Sequence, residues 1–366
     1  VSLTIDITGL PEDRLRFTPS PLAELVAMLH VLAEPGHHPT LHGWATATAG
    51  MLKPELADRL TEADFLWRYS RADFLVPAEP GATLAQELDA IDGLDDERYV
   101  AAALLTSCGS ARLTYRPAAS PLTDRRARDR ARELAAARGP RQAAFTDRLL
   151  ADTAAVRALV RRLLEDCDQA FFAEAWRQLV PGLAADARHK SDLLARHGLV
   201  EALAAVSSAV ALEEDGSGQR RIVVDKLQDN TVSATDAGGA TFVPTVFGRP
   251  HLVVVHAHGW QPVLQYPVAE SGLAEPISLA LVQQRLEALA HPVRLRLART
   301  LARGPATTGE LAAAWSLSAP EVSRHLAVLR KAGLLTVRRR GRYVIYSLDL
   351  AISARLGADL VEAVLR

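Results

Sequence analysis

The chain has 366 residues, more than a single hydrophobic core usually organises, so two or three domains are expected. Its 49% apolar and 23% charged residues exclude the disordered and fibrous classes, and its two cysteines, Cys108 and Cys167, form no CxxC pair that would signal a disulfide framework or a thiolate zinc centre. The net charge of −1 hides an asymmetry: residues 281–348 carry twelve Arg and Lys against three acids, a balance of +9 that leaves −10 on the remainder. That split points to a module for a polyanion attached to a larger body that is not one.

The opening VSLTIDITGL alternates and reads as a strand. It carries acids and an early proline where a secretory signal needs a basic end and an apolar run. No later segment reaches eighteen uninterrupted apolar residues, so no membrane partner and a cytoplasmic location are expected.

From Pro21 to about Leu212 apolar residues recur at spacings of three and four, punctuated by turn signals at Glu34-Pro35-Gly36, Pro77 to Gly81, Arg138-Gly139-Pro140 and Pro181-Gly182. Eight or nine helices are expected here. At Glu213-Glu214-Asp215-Gly216 the texture changes, and RRIVVDKLQ, TFVPTVF and HLVVVHAHGWQPVLQYPV predict a small antiparallel sheet over about 213–270. The helical period returns after a boundary at Ser271 to Pro276. The predicted class is mainly α with a small antiparallel β-sheet (α+β), divided into a helical domain over 1–272 and a second domain over 276–366.

The second domain parses into a definite order. ISLALVQQRLEALA and PVRLRLARTLAR are helices, the latter with Pro292 in its first turn. Thr307 with Glu310, and Ser318 with Glu321, have capping-box spacing, so two short helices follow each other across Ser316-Leu317. In the second of them Val322, Leu326 and Leu329 share the core face, and Arg324, Ala327 and Lys331 point away. LLTVRRRGRYVIYSL then reads as a hairpin with four arginines at its tip, which favour an anion between them such as phosphate.

This stretch, HPVRLRLARTL followed by TTGELAAAWSLSAPEVSRHLAVLRKAGLLTVRRRGRYVIYSL, resembles the winged helix-turn-helix module of the ArsR/SmtB type of bacterial transcription regulators. The resemblance covers about ninety residues and implies a homodimer on a pseudo-palindromic double-stranded DNA operator, placing the protein at the nucleoid when bound. It implies base-facing positions at Ser318, Ala319, Glu321, Ser323, Arg324 and His325, with phosphate contacts from Arg338, Arg339, Arg340 and Arg342. Lys331 is either a further phosphate contact or a solvated residue. The helix TGELAAAW lacks the cysteines of metal-sensing members, and the final helix keeps Asp359 and Glu362 without the histidines of the zinc-sensing type, so no metal is expected at either place. The alternative for this module is a protein-interaction winged helix that takes no nucleic acid.

The first domain resembles an uncharacterised amino-terminal domain found in regulators of high-GC bacteria, chiefly over SPLAELVAMLHVLAEPGHHPTLHGW. The resemblance gives an architecture and no chemistry. Two histidine groups stand out: His37, His38 and His42 with His30 one helix earlier, and His256 and His258 on one strand face with His251 nearby. The first group is read as helix capping or packing beside Trp44, with a metal pair at His38 and His42 as the sharper alternative. His251, His256 and His258 are the candidates for a ligand pocket. No Walker loop, GxGxxG, HExxH or GxSxG occurs, and Ser107-Cys108-Gly109-Ser110 has no nameable base. Hence no catalytic residues, cofactor or metal are assigned. The expected function is a homodimeric transcription regulator whose first domain senses a small-molecule effector or fixes the dimer. The alternatives are an enzyme-like or ligand-modifying first domain with a DNA-binding appendage, or a first domain that docks another protein.

Overall fold

A computed structural model describes residues 2–109, 119–226, 230–255, 257, 260–268, 277–340 and 343–365. The chain separates into two compact units, Val1–Ala274 and Glu275–Arg366.

Ten α-helices occur among the described residues of the first unit. They are α1 (Pro21–Ala33), α2 (His42–Met51), α3 (Pro54–Ala63), α4 (Leu84–Asp92), α5 (Asp96–Cys108), α6 (Arg125–Arg138), α7 (Pro140–Ala151), α8 (Thr153–Cys167), α9 (Ala173–His197) and α10 (Leu199–Val206). The count exceeds the expected eight or nine because local signals cut the long helical run after residue 123. Asp152 caps α8 by accepting from the Ala155 N–H at 2.9 Å, and Gly198, at φ 89°, ends α9.

The strands form two sheets where the sequence suggested one. The first has the order β3 (Val210–Glu214), β4 (Arg220–Asp225), β1 (Ser2–Asp6), β5 (Asn230–Ser233); the second has β2 (Leu15–Phe17), β6 (Ala240–Thr245), β8 (Val263–Pro267), β7 (Val253–Val255). The opening strand does join the first sheet, antiparallel to β4 with Ile5 opposite Ile222. Both sheets mix directions, since β1 runs parallel to β5, and β2 and β8 run parallel to β6. The expectation of purely antiparallel pairing is corrected here: β2 comes from the far end of the chain and has no hairpin to orient it. One core of Leu3, Ile5, Ile222 and Val224 with Phe17, Phe242 and Tyr266 is closed by Leu199, Leu203 and Val206 of α10.

Helix α1 is buried from Pro21 to Val31, almost all round. One side packs into the helical core with Leu25, Met28 and Leu29, and Ala23 packs on Val243, Val255 and Val263 of the second sheet. A helix with two buried faces has no polar stripe to spare. Its polar residues are therefore individually partnered. Ser20 caps it by accepting from the Ala23 N–H at 3.0 Å, and buried Glu24 accepts from the Val246 and Phe247 N–H groups at 3.0 Å. That last bond ties the loop after β6 to the helix.

The second unit follows the expected order: α11 (Leu279–Ala290), α12 (Pro292–Leu301), a short β9 (Ala306–Thr307), α13 (Thr308–Trp315), α14 (Ala319–Lys331), β10 (Leu335–Arg340), β11 (Tyr343–Leu348) and α15 (Leu350–Leu365). Leu297, Leu311, Val322, Leu326, Leu329 and Leu334 form its core. No described helix in either unit is long and apolar enough to cross a membrane.

Candidate nucleic-acid interface and histidine cluster

The geometry of the second unit is set by its caps. At the start of α13 the Thr307 hydroxyl accepts from the Glu310 N–H at 3.3 Å while the Glu310 carboxylate accepts from the Thr307 N–H at 2.7 Å. Ser318 accepts from the Glu321 N–H at 3.3 Å and starts α14. Between the two helices Ser316 sits at φ 54°, ψ 42°, the left-handed turn that lets α14 leave at an angle. Val322, Leu326 and Leu329 are buried, as their spacing predicts.

With that face fixed, the opposite one follows. Ser318, Ala319, Ser323, Arg324 and Lys331 are exposed. Glu321 and His325 are half-buried, and the His325 ring lies 4.9 Å from that of His291, which caps α12. Burial, then the neighbouring His291, hold His325 below the usual histidine range. It is a neutral imidazole held against its own unit.

Strand β10 pairs with β11 from Leu335↔Leu348 to Arg340↔Tyr343. Arg338, Arg339 and Arg340 are all exposed. None of the three, nor Arg324 or Lys331, has an acidic partner among the described residues. Arg342 lies outside the described residues. Alternation along the strand puts Arg338 and Arg340 on one face and Arg339 on the other.

The acids of the last helix are committed elsewhere. Asp359 is buried against Arg285 of α11, Oδ2 to Nη1 2.9 Å, and Arg285 also donates to the Ala332 carbonyl at 3.3 Å. This ion pair fastens α15 and α11 to the end of α14.

In the first unit only one of the three ligand-pocket residues, His251, is among the described residues. His256 and His258 lie outside the described residues. His251 is half-buried, and its partners come from the other histidine group: its ring centre is 5.0 Å from that of His30, 5.6 Å from His37 and 5.2 Å from His38. His42 starts α2 and is not in this group. An open groove among Leu15, Phe17, Thr18 and Glu79, and a more apolar one in the second unit among Leu289, Leu295, Ala298 and Leu348, are lined by no histidine. Ser107 and Cys108 are buried, with Ser107 accepting from the Thr146 hydroxyl at 3.2 Å. Burial pushes the Cys108 thiol to about 11 and the Cys167 thiol to about 12, so both are packing residues.

Two capped helices joined at a left-handed turn, followed by an arginine-lined hairpin, are a winged helix-turn-helix. The comparisons agree with the geometry. Residues 1–272 match the model of a family of unknown function, DUF5937, and the chain belongs to that family. Residues 289–338 match a helix-turn-helix domain model, and the second unit is a module of the ArsR/SmtB type. A transcriptional repressor SmtB homolog of Synechocystis is 42% identical over 91 residues, 24% of this chain and 69% of the relative. A biofilm growth-associated repressor of Agrobacterium fabrum is 45% identical over 71 residues, 19% of this chain and 61% of the relative. An HTH-type transcriptional regulator of Mycobacterium tuberculosis is 42% identical over 74 residues, 20% of this chain and 69% of the relative. The chain spans 61% to 66% of the length of the first curated relatives it matches.

Proposed function

We propose that the protein is a sequence-specific DNA-binding transcription regulator acting as a homodimer, with α14 in the major groove and the β10–β11 wing on the phosphate backbone. One observation carries the reading. Arg338, Arg339 and Arg340 stand exposed without acidic partners among the described residues, next to a capped helix whose amino-terminal end presents Ser318, Ser323 and Arg324. Short hydroxyls and a guanidinium suit base edges, Arg324 pairing best with guanine, while the wing arginines suit phosphate. Arg342, which lies outside the described residues, is assigned to phosphate contact with them by the family resemblance alone. His325, turned toward His291, contributes by fixing how α14 sits rather than by reading a base, and Lys331, at the far end of the helix, is a phosphate contact.

Pairing of two copies is supported by apolar side chains left exposed on the packed helices α11 and α15, namely Leu279, Leu286, Leu350 and Val364. A two-fold dimer of this kind reads a pseudo-palindrome. The first unit senses an effector or organises the dimer, and the regulator acts without catalysis of its own.

The test is selection of genomic fragments by the purified full-length protein, followed by footprinting. The expected result is a pseudo-palindromic site whose half-site centres lie about 10–10.5 base pairs apart or a multiple of that. Protection without inverted symmetry would overturn the homodimer, and no enrichment over random fragments would overturn the regulator.

A further inference from the structure

The remaining unexplained chemistry is in the first unit, at the end of α1. His30, His37 and His251 each offer a ring nitrogen, and these three atoms lie within 4.8 Å of one another; His38 packs on them with its ring centre 5.0 Å from that of His30. Four imidazoles from two segments more than two hundred residues apart meet at one point. We propose that His30, His37 and His251 form a three-histidine binding site, with a fourth position left for water, for a divalent metal ion of the zinc, cobalt, nickel and copper class.

The hydrogen bonds show which nitrogens are free to act. The outer Nδ1 of His30 faces the Trp67 carbonyl at 3.1 Å, and Nδ1 of His38 donates to the Arg249 carbonyl. Nε2 of His37 faces the Glu34 carboxylate at 3.9 Å. The first two contacts fix the proton on Nδ1 and leave the lone pair on Nε2, the arrangement by which a second shell orients ligating histidines, whereas the third is a longer electrostatic contact. Inside, Nδ1 of His37 and Nε2 of His38 are buried with no hydrogen-bond partner among the described residues, and the His38 side chain is wholly buried.

The Nε2 atoms of His30 and His251 are 3.2 Å apart. Two nitrogens bound to one tetrahedral ion at about 2.0–2.1 Å are separated by roughly 3.3 Å. A single proton between His30 and His251 would satisfy that pair and leave the His37 lone pair buried and empty. One cation among His30, His37 and His251 takes a lone pair from each of the three.

Burial, then the neighbouring positive charge, hold His30 far below the usual histidine range, which favours the neutral imidazole. The ligand set also selects the ion. It holds no carboxylate or thiolate, which excludes hard calcium or magnesium and leaves ions that bind neutral imidazole. His37 and His251 are only half-buried, which gives the ion a way in.

The site would clamp the end of α1 to the loop after β6. It stands independently of the DNA reading, because it needs only the first unit's residues.

The test uses full-length, tag-free protein treated with a chelator, then titrated with Co²⁺ and followed by its visible d–d absorption. The expected result is one Co²⁺ per chain with the intense bands of tetrahedral coordination, displaced by Zn²⁺. The pair of half-buried changes His37→Gln and His251→Gln should weaken binding at least about 100-fold, with the far-ultraviolet dichroism of the fold retained, while His42→Gln leaves affinity unchanged. Equal binding by wild type and the double variant would overturn the site, as would no saturable binding by wild type at micromolar Co²⁺. Stabilisation by inorganic phosphate with none by Co²⁺ or Zn²⁺ would assign the cluster to an anion instead.

Discussion

At the scale of single residues, burial decides what titrates. Glu87 is buried under the start of α1, where it accepts from the Leu22 N–H at 2.7 Å and from Ser20 and Gly81 at 3.0 Å. These donors only partly offset the loss of water, and burial raises its carboxyl to about 7. The folded state therefore keeps a proton that the unfolded chain releases near the ordinary carboxylate range. Stability from this group is fully present at pH 4 and is lost as pH rises through about 7, up to about 3 kcal/mol in all. Hydrogen exchange of the α1 amides, measured from pH 5 to pH 8, should report that loss after correction for intrinsic rates, and Glu87→Gln should flatten it. A stability that did not fall over this range would mean that Glu87 is ionised throughout. Nothing in the sequence marked Glu87 as buried, since its helix, LAQELDAID, carries an ordinary mixture of charged and apolar residues. The histidine cluster was hidden for a related reason. Spacing relates neighbours along one helix or strand, so it joined His251 to His256 and His258, whereas its partners His30 and His38 arrive only when the chain folds.

Among the elements, legibility followed how local the forces are. The caps at Thr307 and Ser318, the stripe of Val322, Leu326 and Leu329, and the basic hairpin depend on residues within a turn or two of each other, and the structure has all of them. The sheets of the first unit depend on β2 and β6 meeting across more than two hundred residues, and their parallel pairing could not be read from alternation. Two changes test the element that positions the interface. Leu326→Ala removes a fully packed side chain from the face of α14 and should cost the second unit about 2–5 kcal/mol. Ser316→Gly relieves a left-handed residue in the turn before it and should stabilise the same unit by up to about 1 kcal/mol. Urea titration followed by the fluorescence of Trp315, whose indole donates to the Thr300 hydroxyl at 3.0 Å, reads both against variants lacking the other tryptophans. A stabilising Leu326→Ala or a strongly destabilising Ser316→Gly would show that the helix-turn-helix is not built this way.

For the whole molecule, charge divides the labour. The acidic remainder of the chain carries the family's uncharacterised unit, and the basic segment carries the winged helix. The exposed apolar residues of α11 and α15 predict that the chain sediments as a dimer and that Leu286→Glu with Leu350→Glu gives a folded monomer. A monomer that binds the operator as tightly as the parent would remove the two-fold model. The central claim, that the arginine wing and α14 bind DNA, is tested most directly by the salt dependence of operator affinity. Every phosphate that the protein no longer neutralises should make the slope of log affinity against log salt shallower by about 0.9. Replacing Arg338, Arg339 and Arg340 by alanine should therefore flatten the slope by roughly 2–3 and weaken specific and non-specific DNA alike, whereas an unchanged slope and affinity would contradict the account.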